Sequence, residues 1–114
     1  MNGDTDIVKF LDGAEDVYIP SIVLGELYFG AYKSGRVESN LLDVEILALS
    51  GAAIACDIGT ARIYGRIRYE LRAKGRPIPV NDTWIAAIAL QHNLTLLTRD
   101  EHFKEVDNLP LASW

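Results

Sequence analysis

What most constrains the fold of this chain is an alternation: apolar runs of four or five residues, each closed by a breaker, separate longer stretches whose apolar positions recur every three to four residues. Asp16-Val17-Tyr18-Ile19-Pro20 is a β-type run ended by proline, and Ser21 offers a side-chain cap for a helix to about Lys33. Val37 to Leu49 carries Leu41, Leu42, Val44, Ile46, Leu47 and Leu49 at roughly helical spacing and stops at Ser50-Gly51. Ala53 to Cys56 reads as a short buried strand, after which Asp57 caps a long helix with the stripe Ile63/Tyr64, Ile67, Leu71, ending at Lys74-Gly75. Pro77 and Pro79 break the chain. Asn81-Asp82 then opens a helix through Ile85, Ala86, Ala89 and Leu90, His92-Asn93 ends it, and Leu94 to Leu97 is a further buried strand. Strands that are apolar throughout need cover on both faces, so the pattern predicts a mainly parallel sheet in a three-layer α/β/α sandwich. Sites in such sheets form beyond the carboxyl ends of the strands.

At 114 residues this is one domain, residues 1–114. Hydrophobic residues at 49% and charged residues at 24% exclude disordered and collagen-like chains. The single cysteine, Cys56, cannot form an internal disulfide; this suits a reducing cytosol, and its place in the run Ala52 to Cys56 predicts a small buried residue rather than a nucleophile. The start lacks a basic and apolar leader, and no stretch approaches the roughly 18 apolar residues of a membrane span. The expectation is a soluble cytoplasmic protein without a membrane partner. A net charge of −5 argues against nucleic-acid binding over the whole surface, yet Arg62, Arg66, Arg68, Arg72, Lys74 and Arg76 are concentrated in one stretch.

Three carboxylates stand out. Glu26 shares a helical stripe with Ile22, Phe29 and Gly30, where a charge needs a partner; the alternative is a solvent-facing helix glutamate. Asp82 could cap its helix, but Asn81 can do so instead, and Asp82 heads a stripe of Ile85, Ala86 and Ala89 whose small side chains leave room for an ion. Asp100 follows Leu96-Leu97-Thr98-Arg99, just past a strand end, where its alternative is a turn or cap before Glu101. Converging carboxylates raise one another's pKa unless a cation neutralises them. Their oxygens suit Mg²⁺ or Mn²⁺, the ions of metal-assisted phosphodiester hydrolysis. Zinc lacks its ligands: there is no cysteine cluster, and His92 and His102 lie on different elements and are expected at the surface. Phosphate loops, dinucleotide fingerprints and nucleophile elbows are missing too.

At this point the residues resemble the PIN-domain family, and within it the virulence-associated protein C (VapC) type toxins of toxin–antitoxin pairs. The resemblance runs through YIPSIVLGELYFGAYKSGR from Tyr18, CDIGTARIYGRIRYELRAKGRPIPVNDTWIAAIAL from Cys56, and LTLLTRDEHFKEVDNLPLASW to the end. It implies an endoribonuclease dependent on Mg²⁺ or Mn²⁺, with Glu26, Asp82 and Asp100 matching three of the family's acidic, metal-binding catalytic positions. It further implies an RNA substrate, a cognate antitoxin and a homodimer. The basic stretch from Arg62 to Arg76 becomes a candidate for phosphate contact, against a solvated helix face with Glu70 and Lys74 paired at i, i+4.

One departure matters. Family members normally open with an apolar strand ending in an Asp-Thr-Asn type motif whose aspartate is the first metal ligand. Here Asp4-Thr5-Asp6 follows Met1-Asn2-Gly3 directly. Residues 4–11 are expected to be the tail of the family's early helices, which makes the domain N-terminally shortened and its first aspartate missing. Two functions remain open: a metal-dependent ribonuclease toxin, and an inactive scaffold that retains antitoxin binding or self-association.

Overall fold

The computed structural model describes residues 18–113, in the order β1 (Ile19–Pro20), α1 (Ser21–Tyr32), α2 (Val37–Ala48), β2 (Ala53–Ile54), α3 (Ile58–Ala73), α4 (Val80–Gln91), β3 (Leu96–Leu97), a 3-10 turn (Glu101–Glu105) and β4 (Leu111–Ala112). The expectations for residues 4–11 and for Asp16-Val17 lie outside the described residues. The alternation of strands and helices is as the sequence predicts, and both strand pairs are parallel. β1 pairs with β2 through Ile19 opposite Ala53 and Pro20 opposite Ile54. β3 pairs with β4 through Leu96 opposite Leu111 and Leu97 opposite Ala112. Among the described residues these are two separate two-stranded sheets, and each strand is ladder-bonded along one edge only. Each ladder spans two residues, and the expected buried strand at Ala53 to Cys56 is corrected: Ala53 is exposed, Ile54 half-buried, and Cys56 exposed beyond the strand end.

α3 begins as its sequence predicts. The Asp57 carboxylate accepts the Thr60 backbone N–H at 3.1 Å, while the Thr60 hydroxyl accepts the Asp57 N–H at 3.0 Å, a reciprocal capping box. Gln91, the last residue of α4, locks this end down: its amide donates to Asp57 at 2.8 Å, and its carbonyl accepts from the Thr60 hydroxyl. Hydrogen bonds from Gln91 and then from the Thr60 N–H hold the Asp57 carboxyl below the usual range. A Cβ at Gly59 would stand 2.7 Å from the Gln91 amide nitrogen, so the absence of a side chain there admits this clasp. α3 ends at Gly75 in the left-handed region, at φ 70°.

Two predicted caps are corrected. Pro20, not Ser21, occupies the N-cap of α1, and no side chain caps that helix. Likewise α4 starts at Val80, with Pro79 at the N-cap, rather than at Asn81-Asp82. The prolines explain both shifts: a proline is extended at ψ near 145° and its carbonyl begins the helix without a side chain. The Pro79 carbonyl accepts both the Thr83 N–H at 3.0 Å and its hydroxyl at 3.1 Å. Asn81 and Asp82 are thereby moved into the first turn, with their side chains free for other work.

The main core lies between α3 and α4. Ile67 and Leu71 of α3 meet Ala86, Ala87 and Ala89 of α4, and Phe103, Val106 and Leu109 close the end. The alanines let the helices approach closely, and Tyr64 stacks on Trp84 at 4.0 Å between ring centroids. Ile88, at 1% exposed, contributes roughly 1.5–3 kcal/mol by burial. A smaller cluster of Leu24, Ala31 and Val44 joins α1 to α2. Among the described residues no helix is long and apolar enough to cross a membrane.

Candidate metal centre

The site is assembled where the chain leaves β3 and where α4 begins. Thr98, just past β3, accepts the Asp100 backbone N–H at 3.0 Å, which bends the chain so that Asp100 faces the start of α4. The Asp100 carboxylate in turn accepts the His102 N–H at 2.9 Å and so caps the 3-10 turn, which Phe103, 4% exposed, anchors in the core. Asp82, in the first turn of α4, is half-buried. Unpaired amides at a helix N-terminus favour a negative charge there.

Asp82, Asp100 and His102 each offer a donor atom within 4.8 Å of the others. His102 Nδ1 lies 2.9 Å from Asp100 Oδ1. Burial pushes the Asp82 carboxyl above the usual range, the Asp100 charge adds to the rise, and His102 opposes it. The Asp82 carboxylate is therefore short of positive charge. Two oxygens and an imidazole nitrogen form a donor set that fits a divalent cation able to supply it.

The structure thus brings together two of the three predicted carboxylates. Glu26 stands beside them but outside the cluster: exposed on α1, it accepts a hydrogen bond from the Asn81 side chain, Nδ2 to Oε1 at 2.5 Å. Its helical neighbour Phe29 is 62% exposed, so the apolar surroundings expected of Glu26 are corrected to an open surface. Asn81 does not cap α4; it tethers Glu26 to the residue before Asp82. Sequence reasoning missed His102, which is exposed as expected yet belongs to the cluster. The available signal was the Asp-x-His spacing directly after a strand, where the capping turn folds the two side chains onto each other.

The basic stretch divides. Glu70 pairs with Arg66 at 3.5 Å and not with Lys74, whose ammonium turns to the Glu105 carbonyl at 2.7 Å and to Asp107 at 3.3 Å. Arg76 pairs with Glu105 at 3.6 Å. Lys74 and Arg76 thus brace the end of α3 against the end of the 3-10 turn and the segment after it.

The family model for the PIN domain matches residues 2–109. The chain belongs to the PIN-domain family. Among curated PIN-domain relatives, Ribonuclease VapC2 of Rickettsia felis is 37% identical over 99 residues, covering 86% of this chain and 74% of that protein. Among solved structures, VapBC2 from Rickettsia felis bound to a promoter DNA fragment superposes with a TM-score of 0.82 at 33% identity, covering 100% of this chain and 86% of that one. VapBC-1 from nontypeable Haemophilus influenzae gives a TM-score of 0.87 at 26% identity, over 99% and 87% respectively. The fold is therefore that of a PIN domain, an α/β architecture with short parallel strands.

Proposed function

We propose that this PIN domain is a metal-dependent endoribonuclease, the toxin of a toxin–antitoxin pair, with Glu26, Asp82 and Asp100 as its catalytic metal-binding carboxylates. The observation that carries the reading is the meeting of Asp82 and Asp100 at the carboxyl end of β3, where an α/β site belongs. The relative named a ribonuclease and the neighbour solved as a VapBC assembly support the same activity and partner class. Mg²⁺ or Mn²⁺, held by Asp82 and Asp100, would supply charge for the developing phosphorane oxygens and lower the pKa of a water. Asp82 and Asp100 provide the negative field that draws the cation in, and the turn fixed by Thr98 and Phe103 keeps Asp100 aimed at α4. Glu26, oriented by Asn81, stands ready as a further oxygen donor on the open side, where an RNA backbone has access. Arg62 and Arg72, exposed on α3, are the residues of the basic stretch best suited to phosphate contact.

The test is cleavage of a mixed RNA substrate with and without Mn²⁺. Asp82→Asn lowers the Mn²⁺-dependent rate about 100-fold or more, in keeping with the several kcal/mol such an ion contributes; equal rates in the two proteins would remove Asp82 from the site. The second reading, an inactive scaffold that binds an antitoxin or itself, draws on a different observation, which accounts for the binding that both readings share. Phe29, Tyr32, Leu42 and Ile46 on α1 and α2, with Leu49 just past α2, leave apolar surface uncovered where an antitoxin or a second copy would close in a cytoplasmic complex. Titration calorimetry with Mn²⁺ separates the readings, since a scaffold gives no saturable heat.

A further inference from the structure

We infer that His102 is a nitrogen ligand of the cation held by Asp82 and Asp100, and that it biases the site toward Mn²⁺ and Co²⁺ over Mg²⁺. The inference rests on the metal reading proposed above and adds a ligand outside the three carboxylates.

Geometry carries it. Donors on one octahedral ion at 2.0–2.1 Å stand about 2.9 Å apart when adjacent and about 4.2 Å apart when opposite. His102 Nδ1 and Asp100 Oδ1 are 2.9 Å apart, and Asp82, Asp100 and His102 each present one donor atom within 4.8 Å of the others. A single ion could therefore take all three with only a small contraction. The imidazole is also held in place: the Asp100 carboxylate accepts the His102 backbone N–H, and the next residue, Phe103, is buried in the core. With its side chain 57% exposed, His102 remains open to an ion arriving from solvent.

Chemistry gives the bias. Mg²⁺ prefers oxygen and sheds water reluctantly, whereas an imidazole nitrogen adds affinity that rises from Mn²⁺ through Co²⁺. The competing role is that His102 only orients Asp100 through their contact. That role would affect every divalent ion alike.

The experiment loads the full chain with Mn²⁺ and looks for a coordinated ¹⁴N by pulsed electron paramagnetic resonance, in wild type, His92→Ala, His102→Ala and His102→Gln. Calorimetry on the same proteins uses Mn²⁺, Co²⁺ and Mg²⁺. The expected result is a nitrogen signal in wild type and His92→Ala that vanishes in both His102 variants. Co²⁺ affinity then falls at least about tenfold, the loss known even for removal of a supporting group, while Mg²⁺ affinity holds within about twofold. Circular dichroism of the variants confirms that the exposed substitution leaves the fold intact. Bound Mn²⁺ without a nitrogen signal, a signal that survives His102→Ala, equal losses for Co²⁺ and Mg²⁺, or full recovery by His102→Gln would each overturn the inference alone. No Mn²⁺ binding at all would overturn it together with the metal reading of the site.

Discussion

The helix pair α3–α4 and the helix pair α1–α2 are packed to different standards. Ile67, Leu71, Ala86 and Ala87 are at most 2% exposed in the first pair, and the Asp57–Thr60–Gln91 clasp ties its ends together. The second pair buries only Leu24, Ala31 and Val44, and leaves four large apolar side chains more than 60% exposed, against two, Ile58 and Tyr69, in the first. The site straddles this difference. Asp82 rides on α4 and Asp100 on a turn pinned by Phe103, so both belong to the well-packed half, while Glu26 belongs to the other. Of the three carboxylates proposed as ligands, two are preorganised by the better-packed half, and Glu26 depends on how α1 is held.

The sharpest way to break the contrast is to cut the better-packed core. Ile67→Ala removes a side chain that is 2% exposed and should cost about 2–5 kcal/mol in urea unfolding; a cost below 1 kcal/mol would show that α3 and α4 do not carry the domain. Next in size is Thr60→Val, which keeps shape but strands the Asp57 N–H and the Gln91 carbonyl. A loss of about 1–3 kcal/mol is expected, measured the same way.

Smaller in effect, but distinctive in sign, is the pH dependence of the metal-free protein. The Asp82 pKa is raised in the folded state, so its contribution is fully present below the ordinary aspartate pKa and lost as pH rises through the folded value. Asp82→Asn should remove that decline and make the metal-free variant the more stable protein at neutral pH. Thermal melts from pH 3 to pH 7 in chelator would show it, and parallel curves for the two proteins would contradict it. Asp57 acts in the opposite sense: its lowered pKa gives stability above the ordinary aspartate range that disappears as pH falls through the folded value. Smallest of all, Leu42→Ala on the outer face of α2, 61% exposed, should change stability by no more than about 0.5 kcal/mol. A larger loss would mean that this face is covered in solution.

Much of the fold could be read from periodicity, because helix stripes and breakers are local signals. The stripe Ile63/Tyr64, Ile67, Leu71 and the cap at Asp57 came through intact, as did the stops at Gly51, Gly75 and Asn93, all in the left-handed region. Caps next to prolines did not, because Pro20 and Pro79 start their helices through their own carbonyls and leave Ser21 and Asn81 uninvolved. β4 was overlooked: Leu111–Ala112 is too short to show a pattern, and only its pairing with β3 makes it a strand. At the site, Asp82 and Asp100 could be found from their place beside a helix start and a strand end. The Asn81–Glu26 bond and the position of His102 could not, since each depends on where a neighbouring element lies in space.

The parallel pairing of β1 with β2 has a consequence for the order in which the chain acquires structure. Ile19 can meet Ala53 only after the whole α1–α2 hairpin has turned back on itself, so the ladder closes a long loop for just two residues of pairing on each strand. Local helices cost less loop entropy and form first; this ladder must close late and open early. Native-state hydrogen exchange should therefore rank the amides of α3 and α4 as the slowest to exchange and the Ile19 amide, bonded to the Ala52 carbonyl at 2.8 Å, among the fastest of the bonded amides. On that ordering, the β1–β2 pairing that leads into α1 is the last contact to be committed as the protein folds and the first to be released as it unfolds.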